Sequence, residues 1–588
     1  MTEDKVRHHI IVGVDYGTTY SGVSIIPSSK AGLNDIIQCD TWTGDGGGTT
    51  TALKTPSRIA YSSENGQLRE NQWGYGIEPG VRQCAWMKLL LDKNAKASPF
   101  DDPDLKSDID AGLISLPSGK TAEDVTSDYL KELYEHIMQT LRRKMGGVLD
   151  LTDIRFWLTK PAIWSDEAES QTLRAAKKAG FGSRPNVKDE ICLILEPEAG
   201  ALASITSLKR NHGAVKLKDS VIICDCGGGT VDLTAYIIEA LTPKLSLRES
   251  CPPIGGKCGG TSVDRQLLNW MTKRYGEAFL ELDEKSRGPG SEFMKGFELN
   301  KKKFGTNVPL TALSLQMDHD EDEFYTDPDE GTLVLNDETM KEFFEPVIDK
   351  IKALIQKQID SAKEATGQDV NKVLLVGGFG DSAYLKSRLQ THLQSQKISV
   401  HVPHQSSWGA VAKGAVLRGL EAANVDMRKS RRSYGIVLNV DYVEGVHDRS
   451  ESFTNEFGRV LVPNFMEWAI RKGTEITDKT RVSIPLERIV YIGQGTELRT
   501  TLYCCDEDAK TTPERKNEAV KEVGCIISDL SGVDFSSFEK KRTPHGDVVK
   551  LKFEILIILG GRQGTVSFQF CVGGKTVGTA DIEFAKST

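Results

Sequence analysis

The sequence predicts a mixed α/β fold in which one unit occurs twice, followed by a C-terminal antiparallel β domain. Two stretches about 210 residues apart indicate the duplication: residues 12–26 (VGVDYGTTYSGVSII) and residues 221–238 (VIICDCGGGTVDLTAYII). Each consists of an apolar strand, an aspartate, a tight turn rich in glycine and threonine, and a second apolar strand. The third observation is a change in the residue pattern from about residue 434 onward. There, alternating and β-branched runs separated by glycine turns are typical of an antiparallel β-sandwich.

Both turns carry the residue types that bind phosphate next to a metal ion. Glycine allows the backbone to approach an anion closely, and threonine hydroxyls add hydrogen-bond donors. Asp15 lies just before the first turn, and Asp225 and Asp232 flank the second. These carboxylates repel phosphate unless a cation lies between them, and Mg²⁺ prefers oxygen ligands. The two hairpins therefore predict a Mg²⁺–nucleotide site in a cleft between two lobes.

Length, charge and cysteine content restrict the class of protein. The chain has 588 residues, a net charge of −9 and 11 cysteines, none of them in a CxxC pair. Three or four folding units are expected at this length, and the negative charge argues against nucleic acid as a partner. The sequence has no run of 18 apolar residues and no signal-type N-terminus, so neither a membrane span nor secretion is expected. We expect a cytoplasmic location, with the nucleus as the alternative.

Periodicity and turn residues predict the elements of the first repeat and the end of the second. Residues 121–146 show a helical stripe that begins with a capping box of Thr121 and Asp124. Residues 153–182 are typical of a strand, a turn and a helix, and residues 373–389 of a strand, a glycine turn and a helix.

Three further segments of the second repeat have distinct patterns. A strongly amphipathic helix is predicted over residues 337–366, ended by Gly367 and kinked or divided at Pro346. The acidic residues 317–331 predict a solvated surface loop. The small residues of segment 406–420 predict a closely packed helix.

The nucleotide-binding motifs that the sequence lacks and those that it contains together point to a family. The two commonest nucleotide signatures, GxxxxGK[ST] and GxGxxG after a strand, are missing. The motifs that remain are DYGTTYS (15–21), EPEAGA (196–201), DCGGGTVD (225–232), GG with GGTSVD (255–264) and GGF (377–379). A phosphate turn inside a hairpin, used twice, is the arrangement of the actin-like ATPase superfamily. Over about residues 10–420 the chain resembles a divergent member of one branch, the heat shock protein 70 (Hsp70) family.

The resemblance implies a division of the chain and a cofactor, which is ATP or ADP with Mg²⁺. The implied parts are two actin-like ATPase lobes (8–208 and 209–400), a helix returning to the first lobe (401–424), a basic linker (425–433) and a β-sandwich that binds substrate or partner (434–588). The helical lid that follows this sandwich in ordinary family members is expected to be missing.

The resemblance also implies the site residues. Those implied for catalysis are Lys88, Glu196, Asp225, Thr230 and Asp232. Those implied for nucleotide binding are Asp15, Gly17, Thr18, Thr19, Tyr20, Gly227, Gly228, Gly229, Thr230, Gly259, Gly260, Glu298, Lys301, Lys302, Gly377, Gly378 and Phe379. Asp15 and Asp225 would hold Mg²⁺ mainly through its waters, since this ion gives up hydration reluctantly. Lys88 would offset charge on the γ-phosphate, and Glu196 or Asp232 would orient the attacking water.

Departures from the family pattern leave three functions open. The usual apolar linker is replaced by a basic one, and Trp408 lies where an acidic residue is expected. The first function is a slow ATPase that acts as a chaperone on protein clients, with a cochaperone or nucleotide-exchange factor as further partners. The second is a nucleotide-dependent scaffold or signalling adaptor that binds one folded partner through the β domain. The third is a small-molecule kinase of the same superfamily.

Overall fold

The computed structural model places the two hairpins in separate sheets of one compact unit. The described residues are 8–30, 33–44, 48–78, 80–92, 98–103, 105, 114, 116–209, 214–402, 407–420, 423–477, 480–493, 496–558 and 567–581. The chain divides into two compact units, Met1–Val425 and Asp426–Thr588, each described by itself below.

The first hairpin lies in the middle of the first sheet. The strands of this lobe are β1 (Ile10–Tyr16), β2 (Tyr20–Pro27), β3 (Ile37–Gln38), β4 (Thr41–Thr43), β5 (Thr49–Thr51), β6 (Thr55–Pro56), β7 (Arg58–Ala60), β8 (Gln72–Trp73), β9 (Cys84–Ala85), β10 (Ile154–Lys160) and β11 (Glu190–Leu195). The main sheet has the order β11-β10-β1-β2-β3, with β6 also paired to β2. Strand β1 runs parallel to β10 and antiparallel to β2, and β10 runs parallel to β11.

The second hairpin repeats this arrangement. Its lobe contains β12 (Ser220–Cys226), β13 (Val231–Ala240), β14 (Leu245–Glu249), β15 (Ile254–Gly256), β16 (Leu313–Ser314), β17 (Tyr325–Asp327), β18 (Thr332–Leu333), β19 (Lys372–Val376) and β20 (Ser399–His401). The order β20-β19-β12-β13-β14 matches the first sheet strand for strand, with the same directions. The mixed α/β class is confirmed, and the repeated topology fits the two-lobed actin-like prediction.

Two of the helices begin or end at residues that the sequence marks. Among the described residues the helices are α1 (Ala122–Met145), α2 (Asp166–Lys178), α3 (Glu196–Leu208), α4 (Gly260–Tyr275), α5 (Glu277–Leu280), α6 (Glu284–Arg287), α7 (Glu292–Lys303), α8 (Asp337–Thr366), α9 (Ala383–Leu393) and α10 (Ala410–Gly419). The capping box predicted at the start of α1 is confirmed, because the Thr121 and Asp124 side chains each accept a hydrogen bond from the other residue's backbone N–H. Gly367 ends α8 in the left-handed conformation with φ of 69°.

Pro346 does not divide α8, contrary to one of the two predicted outcomes. The helix has 30 residues in all and is continuous through this proline. Proline removes one backbone donor, but the apolar face of α8 is buried on both sides of it, at Phe344 and Ile348 for example. Packing of this face therefore holds the helix together across the proline.

Helices α3 and α10 join the two sheets. Helix α10 packs on β1 and β10 of the first sheet, α3 packs on β12 and β19 of the second, and the helices contact each other. A Cβ atom on Gly414 of α10 would lie 1.7 Å from the Ala199 carbonyl oxygen of α3, so the two backbones approach as closely as glycine allows. Because α3 begins at Glu196 directly after β11, this packing also fixes where Glu196 lies.

The segment predicted to be an acidic loop is partly ordered into strands. It contains β17, which pairs with β18 directly after the segment. The Asp322 carboxylate accepts hydrogen bonds from the Phe324 and Tyr325 N–H groups, and the Tyr325 ring is fully buried. One aromatic residue in the acidic run therefore anchors it to the core.

The second unit is built from antiparallel strands. Its strands, with β21 crossing the boundary between the units, are β21 (Ala423–Lys429), β22 (Ser433–Asp441), β23 (Phe453–Thr454), β24 (Val460–Ile470), β25 (Glu475–Ile476), β26 (Arg481–Tyr491), β27 (Glu497–Cys505), β28 (Val520–Asp529), β29 (Lys540–Thr543), β30 (Gly546–Ile558), β31 (Ser567–Val572) and β32 (Lys575–Asp581). The main sheet has the order β23-β24-β22-β27-β28-β32-β31-β30-β26, and every pairing assigned in it is antiparallel. Its division into the two layers of a sandwich stays a prediction.

The basic segment 425–433, which the sequence predicts to be a linker, is largely ordered as a strand. Most of it belongs to β21, whose end pairs with β25, and Ser430 exchanges backbone hydrogen bonds with residues 473 and 474. Two of its charges are paired within the second unit: Lys429 Nζ lies 3.0 Å from Glu475 Oε1, and Arg432 Nε lies 2.8 Å from Asp506 Oδ1. Residues that looked solvated in the sequence are thus part of the β structure.

Candidate functional site

The two glycine and threonine turns meet. A Cβ atom on Gly228 would lie 2.3 Å from Thr19 Oγ1, and one on Gly229 would lie 2.4 Å from Thr18 Oγ1. Both distances are far below van der Waals contact, so only glycine fits at these positions. The turns of the first and second lobe therefore face each other without room for a side chain between them.

The start of α4 holds the second turn in place. The N–H groups of Gly259, Gly260 and Thr261 donate to the carbonyl oxygens of Gly229, Gly227 and Gly228, at 3.2, 3.0 and 2.7 Å. Among the described residues, the N–H groups of Gly228 and Gly229 have no hydrogen-bond acceptor of their own, although Gly229 is buried. Buried backbone donors need a partner, and an anion in the cleft is a fitting one.

These turns border a cavity of about 330 Å³. It is lined by Asp15, Gly17, Thr18, Thr19, Tyr20, Lys54, Lys88, Glu196, Asp225, Gly227, Gly228, Gly229, Thr230, Gly260, Glu298, Lys301, Lys302, Gly377, Gly378, Phe379, Asp381, Ser382, Trp408 and Val411. Of the residues that the sequence assigns to the site, the structure brings all to this lining except Gly259 and Asp232, which lie just behind it. The sequence did not assign Lys54, Asp381, Ser382 or Val411, and it noted Trp408 only as a departure.

Lys88 is buried in the cleft and paired with Glu196. Its Nζ atom lies 2.7 Å from Glu196 Oε1 and 2.5 Å from the Tyr16 carbonyl oxygen. Burial raises the pKa of Glu196 to about 7; the charges of Asp15 and Asp232 add to this effect and that of Lys88 opposes it. The site thus places the ammonium of Lys88 beside Glu196, an acid whose pKa is near neutral.

Asp225 lies against a glycine turn from a distant part of the chain. Gly377 has a φ of 82°, and a Cβ atom on it would lie 2.3 Å from Asp225 Oδ1. Glycine is therefore required there both by the backbone and by the carboxylate. Burial raises the pKa of Asp225 well above its usual value, and the neighbouring carboxylates of Glu196, Asp15 and Asp232 raise it further.

Asp232 has one oxygen held and one open. Its Oδ1 atom accepts hydrogen bonds from the Ala162 and Ile163 N–H groups at 2.7 and 3.1 Å. Its Oδ2 atom is buried and has no hydrogen-bond partner among the described residues. An unpaired buried carboxylate oxygen costs free energy, so a water or ligand donor is expected beside it.

The residues at the other end of the cavity are tied into a network. Lys301 Nζ lies 2.7 Å from both Asp264 Oδ1 and Glu298 Oε2. Lys302 Nζ lies 5.2 Å from the centre of the Tyr20 ring and 5.5 Å from that of Trp408, and these two rings meet edge to face at 5.3 Å. Because its ammonium is fully paired, Lys301 offers a ligand its aliphatic stem, while Lys302 and the two aromatic rings form another part of the cavity wall.

The acids fit a hydrated metal ion better than a directly bound one. Among the described residues, no three His, Cys, Asp or Glu side chains lie close enough together to hold a metal ion by themselves. Mg²⁺ usually keeps several waters and takes the rest of its ligands from phosphates. Asp15 and Asp225, on facing lobes of the cleft, are suited to hydrogen-bond such waters. None of the described helices has both the length and the apolarity to cross a membrane.

Lys54 is the site residue that sequence reasoning missed most clearly. Its Nζ atom lies 2.6 Å from Asp15 Oδ2, and both side chains are almost fully buried. Nothing in the local sequence around Lys54 indicates this contact, since it depends on β6 pairing with β2. The one indirect signal is Gly22, which lies opposite Asp15 in the first hairpin and leaves space on that strand.

Comparison with known proteins gives consistent matches. A family model described as Hsp70 protein matches residues 11–460. Heat shock 70 kDa protein 12B of Homo sapiens is 26% identical over 609 aligned residues, covering 89% of this chain and 84% of that protein. Heat shock 70 kDa protein 12A of Mus musculus is 25% identical, with 90% and 82% covered. Chaperone protein dnaK of Cyanidium caldarium is 23% identical, with 70% and 61% covered.

Proposed function

The chain belongs to the Hsp70 family, and on this premise we propose that its first unit binds ATP and hydrolyses it slowly to drive a chaperone-like function. The observation that carries the proposal is the meeting of two glycine and threonine turns at one cavity that also contains the Lys88–Glu196 pair. The names of relatives such as Chaperone protein dnaK support the chaperone class.

The residues of the cleft can perform the work that phosphoryl transfer requires. The unpaired N–H groups of Gly228 and Gly229 bind phosphate oxygens, and the Lys88 ammonium stabilises negative charge that develops on the γ-phosphate. Glu196, which lines the cavity, orients a water for attack. When bound, Mg²⁺ would supply positive charge that offsets the negative charge of the phosphates.

The proposal is tested by nucleotide binding and by a single turnover. ATP and ADP are titrated calorimetrically into the full chain with and without Mg²⁺, and phosphate release is then timed with protein in excess over ATP. Binding followed by slow release of phosphate supports the proposal. A folded chain that binds neither nucleotide contradicts it.

Asp225→Asn is expected to lower Mg²⁺-dependent hydrolysis about 10- to 100-fold, the usual cost of losing a group that orients metal-bound ligands. The fold should persist, because asparagine has the shape of the protonated acid that burial favours at this position. The measurement is the single-turnover rate as a function of Mg²⁺ concentration, with thermal unfolding as a check. Asp369→Asn, on the surface, serves as the control. An Asp225→Asn rate equal to wild type at every Mg²⁺ concentration would contradict the assignment.

The hydrolysis rate is expected to rise with pH around neutrality. The pKa of Glu196 is raised from 4.5 to about 7, so the acid is protonated below that pH and ionised above it. The ionised form accepts the hydrogen bond of the attacking water more strongly than the protonated acid does, and it alone can take up a proton from that water. The negative triphosphate beside it moves the rise to somewhat higher pH. In single-turnover profiles, wild type should show this rise and Glu196→Gln should be slow and flat. A flat wild-type profile would exclude Glu196 from this role.

The chaperone part of the proposal requires that ATP change the affinity for clients. The off-rate of an unfolded protein segment from the full chain is measured with and without saturating ATP, and faster release with ATP supports it. Recovery of one folded partner in equal amount would support the scaffold function. Transfer of phosphate to a small molecule faster than to water would support the kinase.

A further inference from the structure

A second buried lysine lies in the cleft besides Lys88. Lys54 Nζ is 2.6 Å from Asp15 Oδ2, and the side chains of Lys54 and Asp15 are 7% and 5% exposed. The other oxygen, Asp15 Oδ1, is contacted by the Thr159 hydroxyl at 3.3 Å. The protein itself therefore provides partners for both oxygens of the carboxylate that was expected to serve Mg²⁺.

The hairpin is shaped to admit this lysine. Gly22 on β2 lies directly opposite Asp15 on β1. A Cβ atom on Gly22 would lie 2.9 Å from Lys54 Cγ, so the aliphatic stem of Lys54 occupies the space that a side chain would take. Lys54 immediately precedes β6, which pairs with β2 at Tyr20 and Ser21. The pairing of β6 with β2 and the space left by Gly22 together bring the Lys54 ammonium to the Asp15 carboxylate.

A purely structural role explains this pair poorly. Taking an ammonium and a carboxylate out of water is costly, and a buried ion pair is weak evidence for stability. An ammonium has three donors. Among the described residues, Asp15 is the one hydrogen-bond acceptor of Lys54 Nζ, and Lys54 lines the cavity. Donors therefore remain for a ligand, and the turns on either side suit a polyphosphate.

We infer that Lys54 is a built-in cation of the polyphosphate site, which neutralises Asp15 and makes nucleotide binding only weakly dependent on Mg²⁺. The inference rests on the proposed nucleotide site and adds to it a property of this chain's own residues. With Asp15 neutralised by an ammonium, the first lobe no longer repels phosphate when the metal is absent. Lys54 also adds charged donors to the neutral amides of the turns.

The affinity for ADP in Mg²⁺ and in excess chelator provides the test, because it is a binding measurement that does not depend on turnover. Wild type is expected to lose less than about tenfold in affinity on chelation. Lys54→Gln, which still donates a hydrogen bond to Asp15 but carries no charge, is expected to lose about 10- to 100-fold more, the range of a charged hydrogen bond. Lys54→Arg keeps the charge and should behave like wild type.

A matched control removes a different, partly buried ammonium. Lys372 Nζ lies 2.8 Å from Asp219 Oδ2 at the start of β19, outside the cavity lining. Lys372→Gln should therefore leave the Mg²⁺ dependence of ADP binding unchanged.

The outcomes separate this inference from the nucleotide site itself. If wild type no longer binds ADP in chelator but still binds Mg²⁺–ADP, the inference is overturned and the nucleotide site stands. Lys54→Gln with the chelation response of wild type also overturns it. A folded wild type that binds no ADP in either condition removes both proposals. If Lys54→Gln does not fold, the wild-type response to chelation decides alone.

Discussion

Lys88→Ala is expected to slow single-turnover hydrolysis of ATP by about 10²- to 10³-fold, the scale of losing one well-placed charged donor in a water-poor site. The Lys88 ammonium is 3% exposed and held by Glu196 and the Tyr16 carbonyl, so it is already placed when nucleotide arrives. Nucleotide binding should weaken far less than turnover, because the turn amides remain. Phosphate release in a rapid-quench single turnover measures the rate, and calorimetry measures the affinity.

Two variants sharpen the Lys88 experiment. Lys372→Ala removes a partly buried, paired ammonium outside the cavity and should leave the rate unchanged. Lys88→Ala combined with Glu196→Gln removes both partners, so the double variant shows whether an unpaired Glu196 contributes to the loss. Bound ATP with a wild-type rate in Lys88→Ala would exclude this lysine from the reaction.

Gly414→Ala is expected to destabilise the first unit by about 1–3 kcal/mol, the usual cost of overpacking. Alanine is preferred over glycine inside helices by about 1 kcal/mol, so the sign of the effect decides between propensity and packing. Here packing should prevail, because the added methyl group would lie 1.7 Å from the Ala199 carbonyl oxygen of α3. Chemical denaturation followed by circular dichroism measures the free energy of unfolding.

The same variant should affect the site indirectly. Ala199 lies three residues after Glu196 in α3, so pushing α3 away from α10 moves the carboxylate relative to Lys88. Gly147→Ala is the control, because no atom lies within 4 Å of its added Cβ. A Gly414→Ala protein at least as stable as wild type would mean that the helices separate at no cost.

The parts of the fold that follow from local pattern were predictable. Both hairpins carry their strands and turns within about 18 residues, so they could be recognised directly in the sequence. Helix α8 has its apolar face and its terminal glycine in one continuous segment, and its bounds agree with the predicted ones. The Hsp70 family could likewise be recognised from short motifs, and the family match confirms it.

The features that depend on long-range contacts were not predictable. The charges of Lys429 and Arg432 look solvated until Glu475 and Asp506 are brought beside them by strand pairing. Composition alone therefore suggested a linker where the chain forms a strand.

In the site, too, the residues within local motifs were predictable and those placed by long-range contacts were not. The glycines of both turns could be assigned from their own neighbourhood. The contact of Gly377 with Asp225 spans about 150 residues, and only the family resemblance pointed to it. Lys54 had neither a motif nor a resemblance behind it, because its partner is fixed by a hairpin that it does not belong to.

The aromatic wall of the cavity gives the protein an optical reporter of its own. The chain has 8 tryptophans, and Trp408 is one that lines the cavity, with the Lys302 ammonium 5.5 Å from the centre of its ring. Indole emission responds to nearby charge and polarity, and a base entering beside this ring changes both. Occupancy can therefore be followed by intrinsic fluorescence without any attached dye, and Trp408→Phe identifies the part of the signal that comes from this ring.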